Sequence, residues 1–495
     1  MILIKSIKII DGTGQSAFKG DILIKGDKIS AIGNFPNKQA EVVIDGLGLI
    51  ATPGFIDANA DSDHYLGLFT NPLQKDFLLQ GVTTIIGGQC GSSLAPLMYG
   101  SLKSIRKWAD TDLINVDWTT VADLKKLLNR IKLGVNFGTL VGHSTVRRDI
   151  SGEEIRDLTE SEFEIFENSL SNALKNQALG LSTGLGYSHS RYIPYNEIKR
   201  LLFIVAKYGR VYATHLKNEK EGIAESVAET INMAKDTGVP VIISHFRPLL
   251  GFEAQFQEAL EIIEKNLDKA NVYFDTNSSD ISILPVYSFL PAWAQQNGFE
   301  RMLEIISDKD YRRKILEELR NSDIRFDALI IAKAKNNPYI VGKTIKEFAE
   351  NRGLDAYEGI LALMEITKMN SQVFYKNLNT EILNEIIAHP RAIIGSNSAS
   401  LPDSQLILKP ERAQKTFVRF FEIMKDKKIS LEESIKNITA KPAKFFGLQK
   451  RGLLREGWFA DMAILKDTEV INVMVNGQLT VQDKAVTGHR GGQAI

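Results

Sequence analysis

Three polar side chains follow one another at two-residue steps in the stretch PGFIDANADSDHYL: Asp57, Asn59 and Asp61. In an extended strand that spacing sends all three to one side. Asn59 and Asp61, taken with Asn397, offer only oxygen ligands with one full charge, a set poor for zinc and only weakly attractive to harder cations. Elsewhere the chain carries a single cysteine, Cys90, and three histidines, His143, His215 and His245, that close short apolar runs, as Asn397 also does. A thiolate and imidazoles are ligand types that zinc favours. Taken singly, each has a plainer reading: Cys90 as a small buried hydrophobe, each histidine as a hydrogen-bonded, half-buried polar residue. One cysteine also rules out an internal disulfide framework.

The runs that carry these residues set the frame. From about Pro53, apolar stretches ("GVTTIIGG", "VNFGTLVGH", "ALGLSTGLG", "RVYATHLK", "VPVIISHF", "ANVYFDTN", "RAIIGSNS") alternate with helical ones such as "ESEFEIFENSLSNALKNQ" and "ESVAETINMAKDTG". Parallel strands joined by helices close most economically as a barrel, with functional residues just past the strand C-termini. The expected fold is therefore α/β: a (β/α)8, TIM-like barrel over residues 52–449. Residues 1–51 and 450–495 hold short strands separated by glycine-bearing turns, which predict one small β-sandwich built from both chain ends, its N-terminal strands antiparallel. A charged, helix-rich stretch at about 285–345 predicts an insertion near the barrel mouth, with no barrel strand until "FDALIIAKA".

Composition narrows the function classes. The 495 residues are 44% hydrophobic and 24% charged, a balance that suits a large buried core. Lys plus Arg equals Asp plus Glu, 60 against 60, so no net field draws nucleic acid or an acidic membrane. A small-molecule substrate is the expected partner. The N-terminus alternates apolar and polar residues, and no run of eighteen apolar residues follows, so neither a signal peptide nor a membrane span is expected and a cytoplasmic location is.

The ordered series "IDGTG", "GDILIKGDKISAIG", "PGFID", "GVTTIIGGQCGSSLAP", "GHSTVRRDISG", "GLSTGLGYSHSRY", "YATHLKNE", "GVPVIISHFRP", "IIGSNS" and "GWFADMAIL" through "TGHRGG" resembles the N-acyl-D-amino-acid deacylases, or D-aminoacylases, of the metal-dependent amidohydrolase superfamily. The resemblance covers nearly the whole chain. It implies a zinc-dependent hydrolase of a linear amide in a small N-acylated amino acid, with one zinc per chain on Cys90, His215 and His245. It also locates a second metal site that this chain has lost: Asn59 and Asp61 stand where the family has a His-x-His pair. Asn397 replaces the aspartate that serves there as ligand and general base.

An amide has no useful basicity, so Asn397 cannot take over that proton transfer. Asp61, leaving the same strand end as the lost ligands, is the candidate substitute base. Its alternative is a hydrogen-bonded carboxylate filling the old ligand's space. Arg247 stands where the family carries a lysine that grips the substrate carboxylate, and a guanidinium can do so bidentately. His143 is a second candidate for substrate contact, equally readable as a structural loop residue. The family's aromatic wall is replaced by Asn277, Ser278 and Ser279. Two functions follow: a one-zinc amidohydrolase, or a catalytically impaired relative that uses the barrel as a binding or interaction module.

Overall fold

The computed structural model describes the chain from Met1 to Ile495 except residues 297, 335 and 404–406 and the side chain of residue 113. Eight parallel strands make the barrel: Phe55–Asp57, Val82–Gly87, Asn136–Thr139 continued by Val141–Gly142, Gly180–Gly184, Val211–His215, Val241–Ile243, Val272–Thr276 and Ala392–Ile394. Neighbours pair in that order. The last strand returns to the first through Ala58 N to Ile394 O at 3.1 Å and Asn397 N to Asn59 O at 2.7 Å. Every residue of the second, fourth and fifth strands is buried. That is why these strands read as continuous apolar or small-residue runs rather than as alternation.

Helices cover the outside. Glu160–Lys175 shows how the sequence builds one. Thr159 and Glu162 form a reciprocal capping box at its start, and Phe163, Phe166, Leu170 and Leu174 recur at helical spacing to make its buried face. Among the described residues no helix is long and apolar enough to cross a membrane.

The two chain ends share one nine-stranded sheet. Its C-terminal strand Met462–Lys466 pairs antiparallel with Ile50–Pro53, which lies beside the N-terminal strand Ile2–Ile9. The far edge, Lys28–Gly33, folds back onto the segment before Met462, with Ile29 N to Trp458 O at 3.0 Å and Ala460 N to Asp27 O at 2.9 Å. A core of Ile4, Ile22, Ile29, Met462, Ile464 and Met474 fills the fold. Ile2–Ile9 runs parallel to both Val42–Asp45 and Ile50–Pro53, not antiparallel as the turn-rich N-terminus suggested. The longer connections between these runs carry the chain back to start each strand from the same side.

The insertion differs from expectation in extent and kind. A separate apolar core spans Val286 to Val373. Beside its helices stands a three-stranded antiparallel sheet, Ile281–Pro285, Ser371–Lys376 and Leu329–Ala334. The run "FDALIIAKA" is thus an edge strand of this unit and not a barrel strand.

Candidate metal centre

Three barrel strand ends set the site. Cys90 follows the second strand, His215 closes the fifth and His245 follows the sixth. Cys90 Sγ lies 3.5 Å from His245 Nε2, and His245 Nε2 lies 3.0 Å from His215 Nδ1. One ligand atom from each residue falls within 4.8 Å of the others, and all three residues are buried. Cys90 (φ 52°), His245 (φ 41°) and Asn397 (φ 46°) adopt the left-handed backbone conformation that L-residues with side chains avoid. Strain of this kind, held by surrounding hydrogen bonds, concentrates at functional sites.

A half-buried carboxylate, Glu219, and a buried one, Asp275, orient the cluster. Glu219 Oε1 stands 3.1 Å from His245 Nδ1, a contact that keeps the hydrogen on that nitrogen and makes Nε2 the one that would give up its proton to a metal. Asp275, at the end of the seventh strand, accepts from His245 N at 2.9 Å. Burial pushes the Asp275 carboxyl up to about 6. For the histidines, burial opposes charge in both. It pushes His215 down to about 3, while at His245 the Cys90 and Glu219 charges outweigh it and push the imidazole up to about 10. A thiolate, two imidazoles and a carboxylate behind one of them make a donor set that fits zinc and leaves a fourth position open.

The residues expected to mark a lost second site are engaged in other bonds. Asn59 Nδ2 donates to both Asp275 oxygens, at 3.2 and 3.1 Å. Asn397 accepts Arg412 through its carbonyl at 2.7 Å and its side-chain oxygen at 3.1 Å. Asp61 Oδ1 lies 3.1 Å from His64 Nδ1. A buried guanidinium beside Asn397 and an imidazole on Asp61 put donors where a second cation would need acceptors.

Arg247 donates to Glu219 Oε2 at 3.1 Å, while its Nε has no hydrogen-bond partner. It therefore joins the cluster through the same carboxylate that orients His245. His143 does not. It is fully enclosed, 3.0 Å from Glu197 Oε1, against the ring of Phe166. Glu197 also binds Arg147 at 2.9 Å, so His143 braces two helices and has no opening toward a ligand.

Sequence reasoning missed Glu219, Asp275 and Arg412. Glu219 lay within reach, four residues after His215 in "HLKNE". The other two acquire meaning only through contacts with distant segments.

The amidohydrolase family model matches residues 323–480, a span holding Asn397 and Arg412 but none of the three clustered ligands. A D-aminoacylase of Alcaligenes xylosoxydans xylosoxydans is 27% identical over 521 residues, covering 100% of this chain and 97% of that one. A solved D-aminoacylase, whose binuclear metal centre is described by one-metal activation and second-metal attenuation, superposes with a TM-score of 0.81 at 24% identity, over 100% of this chain and 99% of that one. The N-acyl-D-glutamate deacylase of Bordetella bronchiseptica, solved with zinc and a phosphonate mimic of the tetrahedral intermediate, gives 0.80 at 23%, over 100% and 98%.

Proposed function

Because the chain is a relative of the D-aminoacylases among the amidohydrolases, we propose that it hydrolyses N-acyl-D-amino acids with a single zinc held by Cys90, His215 and His245. The observation that carries this reading is the convergence of those three ligand atoms within 4.8 Å at the barrel mouth, while Asn59 and Asn397 are tied to Asp275 and Arg412. One-metal activation in a solved relative supports the sufficiency of one ion.

When bound, zinc supplies Lewis acidity toward an amide carbonyl and toward water. The chain's own residues do the rest. Glu219 fixes the tautomer of His245 and holds Arg247, whose guanidinium grips the substrate's α-carboxylate. Asp61 accepts the proton that Asn397 cannot, and returns it to the leaving nitrogen. Its first oxygen is braced by His64. The ring of Tyr187, 4.8 Å from that of His215, shields the cluster on one side.

A second reading, a binding module without turnover, is favoured by the Asn397–Arg412 bond, which leaves no proton acceptor at that position. Metal analysis run beside hydrolysis of N-acetyl-D-amino acids separates the two. One zinc per chain, with turnover that Asp61→Asn lowers by roughly a hundredfold to ten-thousandfold, supports the hydrolase. Zinc and ligand binding without turnover, in the wild type and in Asn397→Asp alike, supports the binding module.

A further inference from the structure

The segment after the first barrel strand carries a cation that the metal cluster does not use. The enclosed ring of His64 is held at both nitrogens and on one face: Nδ1 by Asp61 Oδ1 at 3.1 Å, Nε2 by the Ser92 carbonyl at 3.0 Å, and the face by Trp108, stacked at 11° with centroids 4.1 Å apart. Two acceptors require two hydrogens, so the ring is an imidazolium. A second carboxylate stands close by: Asp63 Oδ2, which accepts Gly88 N at 2.6 Å, lies 4.0 Å from Nε2. Two carboxylates and a carbonyl are surroundings that suit a hard cation, and here the chain's own cation fills them.

Asp61 has one oxygen held and one free. Oδ1 meets the imidazolium, while among the described residues no donor bonds Oδ2, although the residue is only 6% exposed. Burial favours the protonated form of a carboxyl, which would end its use as a proton acceptor. Asp57, four residues earlier, shows the effect. It accepts the backbone N–H groups of Asn59 and Ser396, pairs with no cation among the described residues, and is pushed by burial up to about 7. A cation fixed on Oδ1 acts against burial and sets the plane of the carboxylate. Lys107, Tyr65, Tyr187, Asp275 and Arg412 also lie within reach of the Asp61 charge, but none of them hydrogen-bonds to its carboxylate.

We infer that His64 is a positioning residue of the reaction: a tethered imidazolium that supplies beside Asp61 the fixed positive charge a second ion would otherwise bring, keeping Asp61 ionised and its Oδ2 free to take the proton. The inference rests on the hydrolase reading, with Asp61 as the proton acceptor. It assigns a part in catalysis to a residue that touches neither zinc nor substrate.

The test follows kcat and KM for an N-acetyl-D-amino acid against pH on the zinc-loaded full chain. Near neutral pH, His64→Gln should lower kcat by roughly tenfold to a hundredfold, the usual cost of removing a partner that orients a reacting group, with KM and zinc content unchanged. The pH below which activity falls should rise by about one to three units, so the defect shrinks as the solution is made alkaline. His64→Lys, which keeps a cation there, should retain more activity at low pH than His64→Gln. The double variant Asp61→Asn/His64→Gln should be no slower than Asp61→Asn alone, as for groups that act as a unit. Should His64→Gln not fold, His64→Asn serves the same comparison. Wild-type rates from His64→Gln at every pH, a defect of the same factor at every pH, or a double variant slower than Asp61→Asn overturns the inference. Failure of the hydrolase reading looks different: the wild type itself then turns over no N-acyl-D-amino acid at any pH, and the inference falls with it.

Discussion

His64 is enclosed with an acceptor on each ring nitrogen: Asp61 Oδ1 at 3.1 Å and the Ser92 carbonyl at 3.0 Å. Only the imidazolium has hydrogens for both. Burial opposes that charge, yet Asp63 and Asp61 outweigh it and push the imidazole up to about 9. The ring also stacks on Trp108 at 4.1 Å. A folded value above the unfolded one, about 6.5, means that this group's stabilisation is complete below pH 6.5 and is lost as pH rises through about 9. Unfolding free energy measured across that window should therefore fall in the wild type and stay flatter in His64→Gln. The difference at pH 6 should be on the order of 3 kcal/mol at most. An identical slope in the two proteins would show His64 to be neutral. The same reasoning makes Asp61→Asn a double lesion, removing the proposed proton acceptor and the counter-charge of His64.

At the scale of elements, the turn after the fourth barrel strand approaches the cluster closely: a Cβ on Gly186 would stand 2.6 Å from His215 Nε2. Gly186→Ala should turn the His215 ring and weaken zinc binding by roughly tenfold or more, the usual cost of disturbing a ligand's support. Competition with a chromophoric chelator would read it. The helix Arg412–Asp426 sets Arg412 against Asn397 because Phe417 and Phe421 pack on Phe55 of the first strand, at 5.8 and 5.6 Å. Phe55→Ala should cost about 3–5 kcal/mol in chemical denaturation. These elements were unevenly legible. The barrel strands, and with them the strand-end positions of His215 and His245, could be read because a short apolar run followed by a polar residue is a local signal, whereas Cys90, Asn59 and Asp61 stood out only through the resemblance of their motifs to the deacylases. The sheet of the insertion could not: Ser371–Lys376 pairs with Ile281–Pro285 and Leu329–Ala334, partners far back in the chain. Arg412 escaped for the same reason, since nothing within a few residues marks a cation whose partner is decided by a distant segment.

The whole molecule is tied together by a buried polar network between the barrel and the sheet of the two chain ends. Asp461 accepts from Asn136 of the third barrel strand at 3.1 Å and from Asn476 N at 2.7 Å, and pairs with Arg451. Asn476 returns to Asn136 Oδ1 at 2.7 Å. Asp461→Ala would leave the Arg451 charge buried and unpaired, which should cost about 3–5 kcal/mol, read by denaturant unfolding. Zinc per folded chain should not change. This frame holds eight strand ends in register, and the proposed chemistry rests on one strand-end cluster of Cys90, His215 and His245. The direct measurement is a titration of zinc into chelator-stripped protein while hydrolysis of an N-acetyl-D-amino acid is followed. Activity should climb to one equivalent per chain and then stay level, with Cys90→Ala flat throughout. Activity that waits for a second equivalent, or a Cys90→Ala titration indistinguishable from the wild type, would contradict it.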